Sequence, residues 1–196
     1  MTKNYITFLV LTMIFFSLPL YAAELEPFHY KEVTYKFDTR YPERIMTLKD
    51  DLNGDGKIET VIGFQGVTAD NAAGIAFVAL GREINGKFTP EVFVSGNDRF
   101  DKIEFKDVDG DKVNEIVFWS SGGMHFVSLD IYKMTDTGLK ALLRKGSAAG
   151  IDIEGDSFPY TIKVGKEKWE KPDWSYAEGT DRFEVYEWDG KEFKRK

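Results

Sequence analysis

Gly86, Gly138 and Gly190 stand 52 residues apart, each in a short polar turn: NGK, DTG and DGK. Asn-Gly and Asp-Gly favour tight β-hairpins because such turns need positive φ. Self-similarity at a fixed interval of this length marks a repeat architecture, in which each unit buries its apolar face against the next. The segments flanking the turns are rich in β-branched and aromatic residues, and none carries a helical apolar stripe. Val127, Leu129 and Ile131 alternate with Ser128, Asp130 and Tyr132, the period of a half-buried strand. Strands are predicted there and at 44–48, 59–64, 75–84, 88–94, 102–106, 115–119, 139–143, 160–164 and 183–188. Residues 28–37 offer one more.

Two acidic stretches share one layout. DLNGDGKIE (51–59) places Asp51, Asn53, Asp55 and Glu59 at positions 1, 3, 5 and 9, and DVDGDKVNE (107–115) places Asp107, Asp109, Asp111 and Glu115 there. Each precedes an apolar run and one of the hairpins. A weaker third, Asp152, Glu154 and Asp156, precedes the Gly190 hairpin but has Pro159 and Tyr160 where the others end. Each unit therefore reads strand, acidic loop, strand, linker, strand, tight turn, strand. The predicted fold is all-β, with a four-stranded antiparallel meander in three units, approximately 42–97, 98–147 and 148–196.

Alternate side chains in a tight loop converge on one point, and carboxylates so close repel one another without a cation. Hard oxygen donors with no nitrogen or sulfur suit calcium, with the position 7 carbonyls of Lys57 and Val113 as further ligands. Gly54 and Gly110 let the loops bend. An EF-hand is the wrong pattern, because its carboxylate at position 12 is Ile62 and Phe118 here. The pattern D-x-(D/N)-G-D-x-x-x-E followed by an apolar strand resembles the calcium loop of FG-GAP/VCBS-type repeats. Those repeats build the blades of β-propellers in integrin α-chains and in exported bacterial proteins. The resemblance implies Ca²⁺ at Asp51, Asn53, Asp55 and Glu59 and at Asp107, Asp109, Asp111 and Glu115. It also implies a propeller-like assembly, although three units are fewer than the roughly 4–8 blades of ordinary propellers. The third loop is expected to bind calcium weakly or not at all.

Residues 1–23 have the layout of a cleavable signal peptide: Lys3, an apolar run over 5–20, then Ala22 and Ala23 before Glu24. The run is shorter than a spanning helix needs, and the absence of cysteine excludes a lipid anchor. Residues 24–196 then form a single exported domain, periplasmic or secreted, without disulfides. The whole chain carries a net charge of −7, which argues against nucleic acid and anionic membrane as partners.

The linker between the second and third strands expands in the third unit to residues 165–182, carrying Trp169, Trp174 and Tyr176. Exposed aromatics serve protein or glycan recognition, and buried ones serve the core. Trp119 reads as packing. Ser120, Ser121 and His125 lack a nucleophile elbow. Two histidines and no cysteine exclude an ordinary structural zinc site. The sequence thus points to a non-catalytic calcium-binding module. The alternatives are an inhibitor or immunity protein against a cell-wall-degrading enzyme, as some small exported bacterial proteins with similar repeats are, and a carbohydrate-binding adhesion module.

Overall fold

The computed structural model describes residues 28–30, 33–37, 44–67, 74–123, 125–166 and 182–196. Residues 1–23, where a signal peptide is expected, and Trp169, Trp174 and Tyr176 lie outside the described residues. Every regular element described is a strand.

The first sheet is a meander of β3 (Ile45–Asp50), β4 (Glu59–Val67), β5 (Ile75–Ile84) and β6 (Lys87–Ser95). A preceding hairpin, β1 (Phe28–Tyr30) and β2 (Val33–Phe37), joins it through Lys36↔Val67 and Phe37↔Gly66. The N-terminal segment thus extends the first sheet. The second sheet is β7 (Arg99–Lys106), β8 (Glu115–Gly122), β9 (Phe126–Thr135) and β10 (Gly138–Ser147). The third is β11 (Ile151–Glu154), β12 (Thr161–Gly165), β13 (Phe183–Trp188) and β14 (Phe193–Arg195). All neighbours are antiparallel, as the repeat predicts.

The three hairpin glycines share a spacing but not a role. Asn85 and Gly86 form a two-residue turn with φ of 54° and 76°, the geometry Asn-Gly favours. Gly138 is instead the first residue of β10, and Gly190 lies in a four-residue turn closed by Trp188↔Phe193.

Strand alternation makes the core. Along β8, Ile116 and Phe118 face the first sheet, where they meet Val61, Val78 and Leu80. Val117 and Trp119 face the third sheet, with Ile162, Val164 and Tyr186. The middle sheet is therefore apolar on both faces, and each fully buried Phe or Ile contributes about 2 kcal/mol. On the far side of the third sheet the alternation brings out Asp152, Glu154, Lys163 and Glu187, with Lys163–Glu154 and Lys196–Glu187 ion pairs of 2.5 and 2.7 Å. Val185 and the exposed Phe183 share that face, and the three sheets do not close into a barrel.

Candidate metal centre

Residues 51–58 and 107–114 join the first strand of a sheet to the second, so both loops emerge at the same end of the stack. In each, position 2 is an apolar plug. Leu52 is buried between the first and second sheets, and Val108 between the second and third. Its N–H donates to the position 9 carboxylate: Leu52 to Glu59 at 3.1 Å, and Val108 to Glu115 at 2.8 Å. Both glutamates are fully buried.

The remaining acidic side chains fold onto the backbone in one pattern. Asp51 accepts the N–H groups of Asp55 and Gly56, and Asp107 those of Gly110 and Lys112. Asn53 accepts from Asp55, and Asp109 from Asp111. Asp55 accepts from Lys57, and Asp111 from Val113, so the two position 7 residues whose carbonyls the sequence proposes as ligands are tied to the loop. Asp109 and Asp111 each give Oδ1 to the backbone and turn Oδ2 inward, whereas both oxygens of Asp107 accept backbone N–H groups. In the second loop the result is a cluster. Ligand oxygens of Asp107, Asp109 and Glu115 lie within 4.8 Å of one another, a spacing that can hold a metal ion. The sequence spacing of 1, 3 and 9 is thereby realised as convergence in space.

The third acidic segment is different. Asp152 and Glu154 lie in β11, opposite Lys163 and Thr161, and do not form a loop. Tyr160 at position 9 is buried, and its hydroxyl reaches the Asp156 carbonyl at 3.5 Å. Phe158 packs against the second loop, where a Cβ on Gly110 would stand 2.8 Å from its ring. Val113 of the second loop similarly approaches Gly54 of the first. Asn114 donates to Asp50 at 2.7 Å, linking the second loop to the first sheet.

One residue in this centre escaped the sequence reading. The Lys133 ammonium of β9 lies 2.6 Å from Asp109, 2.7 Å from Asp111 and 2.9 Å from Glu115. Register places it there: Ile116 pairs with Tyr132, so Glu115 and Lys133 stand opposite across β8 and β9. The first sheet repeats the arrangement. Thr60 pairs with Gly81, so Arg82 stands opposite Glu59, and its guanidinium lies 3.3 Å from Oε1. The available signal was a lone basic residue in an apolar strand, LDIYKMT in one unit and VALGREI in the other.

Burial works against the Lys133 charge, but hydrogen bonds to the three carboxylates outweigh it and hold the ammonium above the ordinary lysine range. Burial pushes the Glu115 carboxyl up, with Lys133 and the Val108 N–H as partial offsets. Asp111 is less enclosed, and although burial opposes it, Lys133 and the Val113 N–H draw it down. In the first loop Asp55 is lowered chiefly by the Lys57 N–H.

At the opposite end of the stack, Arg44, Asp98, Arg99, Ser121 and His125 border a cavity of about 780 Å³. Ser120 accepts the Asn97 N–H, and the Ser121 hydroxyl is buried without a hydrogen-bond partner. Trp119 is in the core, with the Lys102 ammonium 5.3 Å from its ring. The anchors of the 165–182 linker are at this end: Gly165 N–H donates to Gly150, which borders the cavity, and Lys166 N–H to Arg182. Comparison of the chain with protein-family models, with curated proteins and with solved structures returns no match, so this centre is read from its own residues.

Proposed function

We propose that the chain is an exported, calcium-binding, non-catalytic β-repeat protein of the FG-GAP/VCBS kind, which acts by binding a protein or glycan partner. The observation that supports it is the convergence of Asp107, Asp109 and Glu115. The donor set fits a hard divalent cation, since the three converging ligand groups are all carboxylates. The ion's role is structural. Its ligands come from a loop whose position 2 side chain plugs the core and whose position 9 side chain begins the next strand, so an ion there ties adjacent strands together. In this reading the partner face is the other end, supported by the larger cavity and by the anchors of the 165–182 insertion there.

The test is thermal melting in chelator and in millimolar calcium, with calorimetry alongside. Extracellular calcium modules bind at roughly 0.1–1 mM, and a ligand at 100 times its Kd stabilises by about 2.7 kcal/mol. A calcium-dependent rise in Tm, reversed by chelation, is expected. An unchanged Tm with no heat of binding would mean that the loops are acidic turns and nothing more.

A further inference from the structure

We propose that Lys133 is the resident cation of the second acidic loop, so that its ammonium and a divalent ion compete for one position and the loop holds either but never both. The inference deepens the calcium reading above and rests on it. An ammonium has three N–H donors, and each meets a different carboxylate here. No donor is left over, and the side chain is 23% exposed. Asp109 and Glu115, two of these acceptors, also belong to the converging triad. Calcium sits about 2.3–2.6 Å from its oxygens. The ammonium already lies 2.6 and 2.9 Å from those two residues, so both cations claim the same point. Two positive charges cannot share it, and entry of the ion expels the lysine.

The first loop lacks this occupant. Arg82 stands in the same register, but among the described residues its ion pair is to Glu59, at 3.3 Å, and its Nε has no hydrogen-bond partner there. Asn53, Asp55 and Arg82 border a cavity of about 380 Å³. Among the described residues Asp55 carries only the exposed Lys57 ammonium, at 3.3 Å, so an ion there displaces a solvated lysine and not one seated among three carboxylates. The two loops share ligand types, but among the described residues only the second brings three carboxylates within 4.8 Å of one another, and there its own lysine holds the position.

Two measurements test this. In the wild-type protein, acetylation of amines by a water-soluble ester, read by peptide mass spectrometry, should spare Lys133 in chelator and modify it in millimolar calcium. Lys194, on the third sheet, serves as the unchanging reference. In calorimetry, Lys133→Met should raise calcium affinity at one site about tenfold or more, the scale of a charge-assisted hydrogen bond no longer lost on eviction. Adding Asp109→Asn should abolish that gain. If the wild type binds calcium while Lys133 stays protected and Lys133→Met leaves affinity unchanged, competition is wrong and the calcium reading stands. If neither protein gives heat with calcium, both fall. Should Lys133→Met not fold, the labelling comparison decides alone.

Discussion

Glu59 faces an arginine across its sheet, at 3.3 Å and without a hydrogen bond to Oε1, whereas Glu115 faces a lysine at 2.9 Å that also grips Asp109 and Asp111. The loops around these glutamates are close copies in sequence, in their buried plug and in the N–H groups their carboxylates accept. One basic side chain on the neighbouring strand therefore decides what each loop is. A flat guanidinium fixed on one carboxylate leaves the remaining oxygens to other partners. A compact ammonium on a flexible stem fits the middle of three.

The comparison is broken most forcefully at the buried glutamates. Glu115→Ala removes a carboxylate that binds both the buried Val108 N–H and the Lys133 ammonium, leaving a partly buried charge underpaired. It should cost about 3–5 kcal/mol, the scale of breaking a buried pair. Glu59→Ala removes the Leu52 hydrogen bond and a looser contact with Arg82, whose side chain is 35% exposed and can find water. About 1–3 kcal/mol is expected. Urea titrations in chelator give both values. Equal costs would show that Lys133 adds nothing that Arg82 does not, and that the loops are equivalent.

What made the second loop's triad legible is that its donors lie within nine residues of chain, so spacing alone implied convergence. The three meanders were legible for a similar reason, because Asn85-Gly86 and the strand alternation are local signals. Lys133 was not, because it stands 18 positions after Glu115 and only the register of β8 against β9 brings the two together. A slip of one residue in that register would turn Lys133 to the other face, and no pattern local to either strand fixes it. Reading 152–156 as a loop failed for a different reason. The alternation of Ile151 and Ile153 with Asp152 and Glu154 is a strand pattern, and acid content drew attention away from period.

A smaller effect separates the loops at their position 4 glycines, which both have positive φ, 73° at Gly54 and 82° at Gly110. Alanine at either strains the backbone by about 1–2 kcal/mol. At Gly54 a Cβ would meet only Val113, at an ordinary 3.6 Å, so Gly54→Ala should cost that strain alone. At Gly110 it would collide with the Phe158 ring at 2.8 Å, so Gly110→Ala should cost about 1 kcal/mol more as Phe158 lifts off. Combining each glycine change with Phe158→Ala sharpens the point. The excess at Gly110 should vanish in that background, and a persisting excess would locate the difference in the loop backbone and not in its contact with the third unit.

The smallest effect comes from an acidic turn with no cluster. Asp189 accepts the N–H groups of Lys191 and Glu192 at 2.9 Å each, and its other oxygen meets Lys194 at 2.6 Å. Lys194 first, then those N–H groups, draw its carboxyl from the ordinary 3.8 to about 2. Because the folded value lies below the unfolded one, the stabilisation is complete above about pH 3.8 and is lost as pH falls toward 2. The residue is exposed, so the difference between wild type and Asp189→Asn should be slight at pH 6 and gone near pH 2. Carboxyl NMR should place its titration near 2, unmoved by calcium, because one carboxylate with its own lysine offers an ion too few ligands. A calcium-dependent shift at Asp189 would mean that the ion responds to negative charge in general, and the contrast between the two clustered loops would lose its basis.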